Sequence, residues 1–277
     1  MKHTNYEVRY ATNPQDFKAY DTQKIRQDFL IKNLFEDNKI NLVYSHYDRY
    51  IAGGVTPKNG SLQLETIDPL RADYFLEHRE LGIINIGQAG TVEVDGTAYK
   101  VGHKEALYIG KGAKEVIFSG INSKYYLNSA TAHHAYPTKL VTQSDAEVVE
   151  LGTLEASNAR TIRKLLVNTV VDTCQLQMGM TELKVGSVWN TMPAHIHDRR
   201  MEIYLYFEVP ENQAVCHFMG QREETRGIWL GNEDAVISPP WSMHCGSGTS
   251  AYTFIWGMCG ENLDYEDMDG FSPAEIK

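Results

Sequence analysis

From about residue 40 onward the chain alternates apolar and polar residues in short runs closed by glycine or turn residues: NLVYSHYDRYIAGGV, LGIINIGQAG, TVEVDGTAYKV, EALYIG, EVIFSG and KYYLNSA. A period of two sends successive side chains to opposite faces of an extended strand. In TVEVDGTAYKV the pair Asp95-Gly96 stands between two such runs, the signature of a two-residue hairpin. A second set follows: TCQLQMGMTELKVG, MEIYLYFEV, AVCHFMG, GIWLG, EDAVISP and AYTFIWGMCG. Short strands at this spacing predict a sandwich or barrel. Between the sets, YPTKLVTQSDAEVVELGTLEASNARTI reads as a linker. Only near the start does the spacing turn helical. There DTQKIRQDFLIKNLF sets Ile25, Phe29, Leu30 and Leu34 near one face behind a cap at Asp21 or Thr22.

The two sets of strands resemble each other. Without a gap, GHKEALYIGKGAKE lies over GNEDAVISPPWSMH, and RELGIINI lies over MEIYLYFE with Glu80 opposite Glu202. Together with the matching rhythm of strands, this predicts an internal duplication. The expected organisation is a helical segment at residues 1–39, a first barrel at 40–140, and a second barrel with linker and tail at 141–277.

Composition agrees with two domains, since 277 residues with 42% hydrophobic content can fill two moderate cores. The net charge of −10, with no run rich in lysine or arginine, excludes the electrostatic footprint of a nucleic-acid binder. No apolar leader and no run near ~18 apolar residues is present, so a soluble cytoplasmic protein without a membrane partner is expected. The four cysteines lie singly, with no C-x-x-C pair, which predicts buried thiols rather than a disulfide framework.

The stretch PAHIHDRRMEIYLYF carries the candidate chemistry. His195 and His197 share one strand face and can converge. Glu202 lies an odd number of residues beyond, so a turn or bulge at Asp198 to Arg200 must correct the phase. Glu202, Tyr204 and Tyr206 then share one face, with Ile203, Leu205 and Phe207 on the other. His244, in PPWSMHCG, is the fourth candidate, brought alongside by strand pairing. Three imidazoles and one carboxylate suit a divalent first-row metal with room for water or substrate. The first copy reads Asp73, Phe75, Glu80 and Glu115 at the corresponding positions and can supply no imidazole.

The pattern H-x-H-x4-E followed by P-x4-H resembles the two signature motifs of the cupins, whose double-domain members are duplicated jelly-roll β-barrels. The longer blocks HRELGIINIG, ALYIGKGAKEV, YPTK, TCQLQMGMTEL, WNTMPAHIHDRRMEIYLYF, NEDAVISPPWSMH and GTSAYTFIWGM resemble the 5-keto-4-deoxyuronate isomerases within that superfamily. The resemblance spans about residues 40–262. It implies an all-β duplicated cupin with a short N-terminal helical segment, assembled as a homohexamer that acts in the breakdown of pectin and related uronates. It implies one zinc per subunit, held by His195, His197, Glu202 and His244. The implied substrate is 5-dehydro-4-deoxy-D-glucuronate, converted to 3-deoxy-D-glycero-2,5-hexodiulosonate by moving hydrogen from carbon 2 to carbon 1. Two positions depart from the pattern: Gly227 stands where a histidine is expected after Arg226, and Trp241 replaces the cupin glycine.

That chemistry asks for an acid/base, for which Glu202 and Tyr204 are candidates. It also asks for a partner to the substrate carboxylate. Arg199 and Arg200 flank the metal motif, at most one of them facing the pocket, and Arg226 and Lys184 are weaker candidates. Gln175 and Gln177 share a face and could hydrogen-bond substrate hydroxyls. Alternative readings are a 5-deoxyglucuronate isomerase, a metal-dependent cupin dioxygenase, and a cupin that binds sugar acids without turnover.

Overall fold

The computed structural model describes residues 4–261 and 265–277; the rest of the acidic stretch ENLDYEDMDGF, residues 262–264, lies outside that range. The chain divides into two compact units, each assembled from more than one stretch. The first comprises residues 4–8, 33–147 and 164–178, the second the described residues of 9–32, 148–163 and 179–277. The stretch read as a linker, residues 136–162, carries the strands Lys139–Val141 and Glu147–Leu151 and the start of a third, Arg160–Leu166.

In the first unit a sheet runs edge to edge through Thr4–Arg9, Ile40–Ser45, Ile51–Val55, Tyr125–Thr131, Arg79–Asn85, Ala106–Ile109 and Lys139–Val141. A second sheet orders Ser61–Gln63, Val116–Ser119, Gly90–Val94 and Thr97–Val101. Leu81, Ile83, Leu107, Val92 and Phe118 belong to the apolar core of this unit. The hairpin expected at Asp95-Gly96 forms: Val94 pairs with Thr97, and both turn residues adopt positive φ, 46° and 82°. Aspartate tolerates that region and glycine enters it without a steric penalty, which is why this dipeptide closes the tight turn.

A second seven-stranded sheet orders Glu147–Leu151, Arg160–Leu166, Gln177–Leu183, Thr253–Gly260, Arg200–Phe207, Ala235–Ser238 and Leu30–Ile31. Its companion orders Glu224–Leu230, Val215–Gln221, Met243–Gly248, Trp189–Ile196 and Asp269–Gly270. The order of the inner strands repeats that of the first pair of sheets, with Asp269–Gly270 as one strand more, so the duplication read from the sequence is visible as topology. The N-terminal helix is shorter than its apolar spacing suggested. It covers Thr22–Phe29, with the Asp21 carboxylate accepting from the Lys24 amide at 2.8 Å. Leu30 and Ile31 leave it to pair with Val236 and Ala235, because a sheet edge offers their backbone a ladder. Trp241 packs against Phe17 and Phe29, with ring centroids 5.2 and 6.3 Å away. The residue that replaces the cupin glycine thus anchors the N-terminal helices.

Strand register corrects one detail of the sequence overlay. Ala106 pairs with Ile84, and its counterpart Ala235 pairs with Leu205. Superposing those ladders sets Arg79 at the place of Arg200 and Leu81 at the place of Glu202, one residue away from the ungapped match. Glu80 therefore lies on the opposite face of its strand and is no vestige of a ligand. Leu81, fully buried, fills the position with hydrocarbon.

Glu80 has a different task. Its carboxylate, with no exposed surface, accepts from the backbone N–H groups of Cys174, Gln175 and Leu176 and from the Tyr108 hydroxyl, each at 2.8 Å. Removing the acceptor leaves three buried amides without partners. Glu80→Ala is expected to cost about 3 to 5 kcal/mol of stability, whereas Tyr108→Phe, which removes one of four donors, costs about 1 kcal/mol. Urea unfolding midpoints of the two variants measure the difference.

Candidate metal centre

The strand Trp189–Ile196 carries His195 and faces Met243–Gly248, so that His195 pairs directly with His244. A register irregularity between Asn190 and His195 sets the phase of that pairing. The chain then turns at Asp198 and Arg199, with the Arg200 amide donating to the His197 carbonyl at 3.3 Å. This is the phase correction that the odd spacing required. It passes the chain from the five-stranded sheet into the strand Arg200–Phe207 of the seven-stranded sheet, where Glu202 points back at the histidines.

The four side chains meet. The Nε2 atoms of His195 and His197 are 3.0 Å apart, and Glu202 Oε2 lies 3.3 Å from His197 Nε2 and 2.9 Å from His244 Nε2. One ligand atom from each of the four residues lies within 4.8 Å of every other. His197, Glu202 and His244 are 4%, 3% and 1% exposed, and His195 is half-buried at the mouth. Glu202 Oε2 and His244 Nε2 are buried and close, yet neither has a partner with hydrogen-bond geometry. Lone pairs that converge on one point without bonding each other are what a shared cation satisfies, so this donor set could hold a metal ion.

Electrostatics follow from that crowding. Burial, with His244 and His197 as neighbours, pushes the His195 imidazole down to about 2. Burial alone would raise the Glu202 carboxyl, but His244 and His197 hold it well below the usual carboxylate range. Burial, with the Glu202 charge adding to it, pushes the Tyr204 phenol far up, which keeps it protonated.

A further layer orients these groups. His197 Nδ1 lies 2.9 Å from the Asp267 carbonyl and 3.2 Å from both Nε and Nη2 of Arg200. The two contacts demand opposite tautomers. With Nε2 aimed at the cluster, Nδ1 carries the proton and donates to Asp267, while Arg200 is satisfied by the carbonyls of Tyr265 and Asp267 at 3.0 and 3.2 Å. Arg200 is accordingly buried, and Arg199 turns outward to pair with Glu261. Tyr204 sits 5.3 Å, ring to ring, from His244, its hydroxyl 3.0 Å from Thr191 Oγ1. Tyr206 shares the inward face and contacts His217 Nδ1 at 2.8 Å; His217 Nε2 lies 3.3 Å from the Ser238 hydroxyl.

The remaining candidates are placed as follows. Gln175 gives its amide N–H to Glu80 and its side chain to Thr131, in the first unit. Gln177 is buried, and both atoms of its amide lack a partner. Arg226 bonds Glu224 and the Lys18 carbonyl, and Lys184 pairs with Glu150. All four cysteines are free and buried.

Sequence reasoning missed Arg160. It is 8% exposed, donates to the carbonyls of Asn158 and Met192, and has no carboxylate partner among the described residues. Burial lowers its pKa, and the Met192 carbonyl that it reaches lies three residues before His195 on the same strand. The available signal was the alternation in ARTIRKLL, hidden by reading that stretch as a linker.

Paired jelly-roll sheets, repeated once, with an H-x-H-x4-E and late-histidine cluster inside one copy, define a duplicated cupin. The chain belongs to the KduI/IolB family, which it matches over residues 29–270. It is 60% identical to the 4-deoxy-L-threo-5-hexosulose-uronate ketol-isomerase of Formosa agariphila, covering 99% of both chains. The enzyme of the same name from Escherichia coli is 51% identical over 98% of this chain and all of that one. Among solved structures, an IolB-like protein from Salmonella typhimurium matches 80% of this chain and 86% of its own, with a TM-score of 0.68 at 14% identity. Lactobacillus farciminis oxalate decarboxylase matches 80% and 79%, with a TM-score of 0.56 at 9% identity. Both likenesses concern the fold.

His217 supplies a pH test. Burial, aided by His244, pushes its imidazole from 6.5 down to about 3, so between these values the unfolded chain binds a proton that the folded chain refuses. Stability of the metal-free protein therefore falls on acidification from pH 6.5 toward 3, by about 1.4 kcal/mol per pH unit for this proton. His195 adds to the same window, and Glu202 adds a loss at lower pH, below its unfolded value of 4.5. Denaturant midpoints across pH are expected to show a shallower slope in His217→Gln.

Proposed function

We propose that this chain is a ketol-isomerase converting 5-dehydro-4-deoxy-D-glucuronate to 3-deoxy-D-glycero-2,5-hexodiulosonate in the degradation of pectin and related uronates. One observation carries the reading: 60% identity, end to end, with a relative named for this reaction. We further propose zinc as the resident ion, one per subunit, in a cytoplasmic homohexamer. His195, His197, Glu202 and His244 would hold the ion, and the first barrel, with Leu81 at the place of Glu202, would hold none.

The reaction moves a proton from carbon 2 to carbon 1 through an enediolate, and the developing oxyanion is its costly feature. A bound divalent ion polarises the carbonyl and stabilises that charge. The chain's own residues bind the substrate and stabilise its oxygens. Tyr204 stays a neutral phenol, so it serves as a hydrogen-bond and proton donor to an oxygen on the substrate rather than as a base. The depressed carboxyl of Glu202 makes it a poor base, which favours the ligand role. Arg160 is a buried cation without a carboxylate partner among the described residues, and a uronate brings one. We assign Arg160 the substrate carboxylate; Arg200 is already committed to the carbonyls of Tyr265 and Asp267. Exposed Arg199 is the weaker of the flanking pair.

Two variants test this. His244→Ala is expected to lose both bound zinc, read by elemental analysis, and turnover, while retaining its strand content. Zinc-free protein that still isomerises the substrate at the wild-type rate would overturn the role of the cluster. Arg160→Lys keeps the charge but loses the planar fork, and is expected to raise KM about tenfold or more with a smaller change in kcat. An unchanged KM would move the carboxylate elsewhere.

A further inference from the structure

The segment 265–277 is tied to the second unit at many points, and its backbone meets the candidate ligands directly. The Asp267 carbonyl is the acceptor for His197 Nδ1, and the carbonyls of Tyr265 and Asp267 hold the Arg200 guanidinium. Gly270 and Asp269 then pair with His195 and Ile196 as an added edge strand, and the Phe271 amide donates to the Ala194 carbonyl at 2.8 Å. Phe271 and Ile276 pack on Ala194, Met243 and Cys245, the outward neighbours of His195 and His244. The far end is fastened as well. The Lys277 amide donates to the Arg222 carbonyl, the Thr225 amide donates to the Lys277 carbonyl, and the Arg222 guanidinium sits 5.6 Å from the Phe271 ring.

This segment is short, and its side-chain anchorage is thin. Phe271 and Ile276 are only half-buried, and residues 272–275 are exposed. Pro273 and Ile276 border a cavity of about 650 Å³ whose other walls include Met192, Phe218 and Cys245. The segment is therefore held at its two ends and borders that cavity between them, rather than packed as a piece of the core. Nothing else among the described residues offers a backbone carbonyl to His197 Nδ1.

We infer that residues 265–277 form a positioning strap for the metal ligand His197: docking of the strap, through the Asp267 carbonyl, fixes the imidazole with its Nε2 toward the cluster and so controls metal retention, not folding of the barrel. The inference rests on the metal reading above. An imidazole whose Nδ1–H has a fixed acceptor is oriented before the ion arrives. Without the strap, Arg200 is free to donate to Nδ1, and the ring then carries its proton on Nε2, which turns an N–H rather than a lone pair toward the other ligands. Asp267, Phe271 and Ile276 are positioning residues; none of them is a ligand.

The test compares wild type, Phe271→Ala/Ile276→Ala, and Phe271→Leu as the conservative control. Cobalt(II) titration followed by its visible absorption, and zinc competition against a chelator, read metal affinity. Histidine ring ¹⁵N spectra read the His197 tautomer, and urea unfolding reads the metal-free fold. The expected result is a 10–100-fold loss of metal affinity in the double variant with an Nε2–H signal at His197, a metal-free unfolding transition of wild-type steepness, and recovery of most of the affinity in Phe271→Leu. Should the double variant not fold, single Ile276→Ala is measured against Phe271→Leu in the same way. A strap shown to be detached, by fast exchange of the Phe271 amide, with wild-type affinity and the Nδ1–H tautomer intact, overturns the inference. Wild-type protein that binds neither ion sinks the metal reading itself, an outcome distinct from a wild type that binds and a variant that binds equally well.

Discussion

Four side chains can share one buried point only if the strands that carry them are locked in register, because a slip of one residue sends every side chain to the opposite face. Two of the four, His195 and His244, are cross-strand partners in a single ladder. Glu202 arrives from the other sheet, in a strand paired on both sides, with Ser238 on one and Met258 on the other. The turn at Asp198 and Arg199 joins these two systems, and its length sets the phase between the histidines and the carboxylate. The rest of the second unit serves that constraint: tyrosines and phenylalanine fill the inward face beside the candidate ligands, and the Asp267 carbonyl holds His197 from behind.

The first unit shows what the same scaffold does without that constraint. With Leu81 at the carboxylate's place, its interior closes around hydrocarbon: Leu81, Ile83, Leu107, Val92 and Phe118. Its one deeply buried carboxylate, Glu80, faces the other way and spends its oxygens on three backbone amides and a phenol. A single-residue phase difference thus separates a structural acid from a candidate ligand. In sequence the two glutamates look equivalent, since each stands near the start of a strand of apolar character. Only the ladder partners, Ile84 with Ala106 and Leu205 with Ala235, tell them apart.

Most of the architecture was legible because period-two patterning and turn residues are local signals. The Asp95-Gly96 hairpin, the strands of both copies, the shared face of His195 and His197 and the need for a turn before Glu202 all follow from spacing. What was not legible depends on tertiary partners. The helix was expected to run through Leu34, but Leu30 and Ile31 found a sheet edge, and propensity yields to a ladder. Arg160 escaped notice because its strand was read as part of a linker. Its significance lies in having no carboxylate partner among the described residues, which depends on the surrounding fold.

The departures from the cupin signature show the same dependence. A glycine in the second motif would leave the space that Trp241 fills against Phe17 and Phe29, so the N-terminal helices and the motif carrying His244 are packed as one piece. The segment 265–277 braces that unit from the other end of the chain, through Gly270 beside His195 and Asp267 beside His197. The physical reason is the one that governs the centre: imidazoles must be aimed to within a few tenths of an ångström, and two sheets alone leave ring orientation undetermined. Backbone carbonyls supplied by a terminal segment remove that freedom without placing another charge in the site.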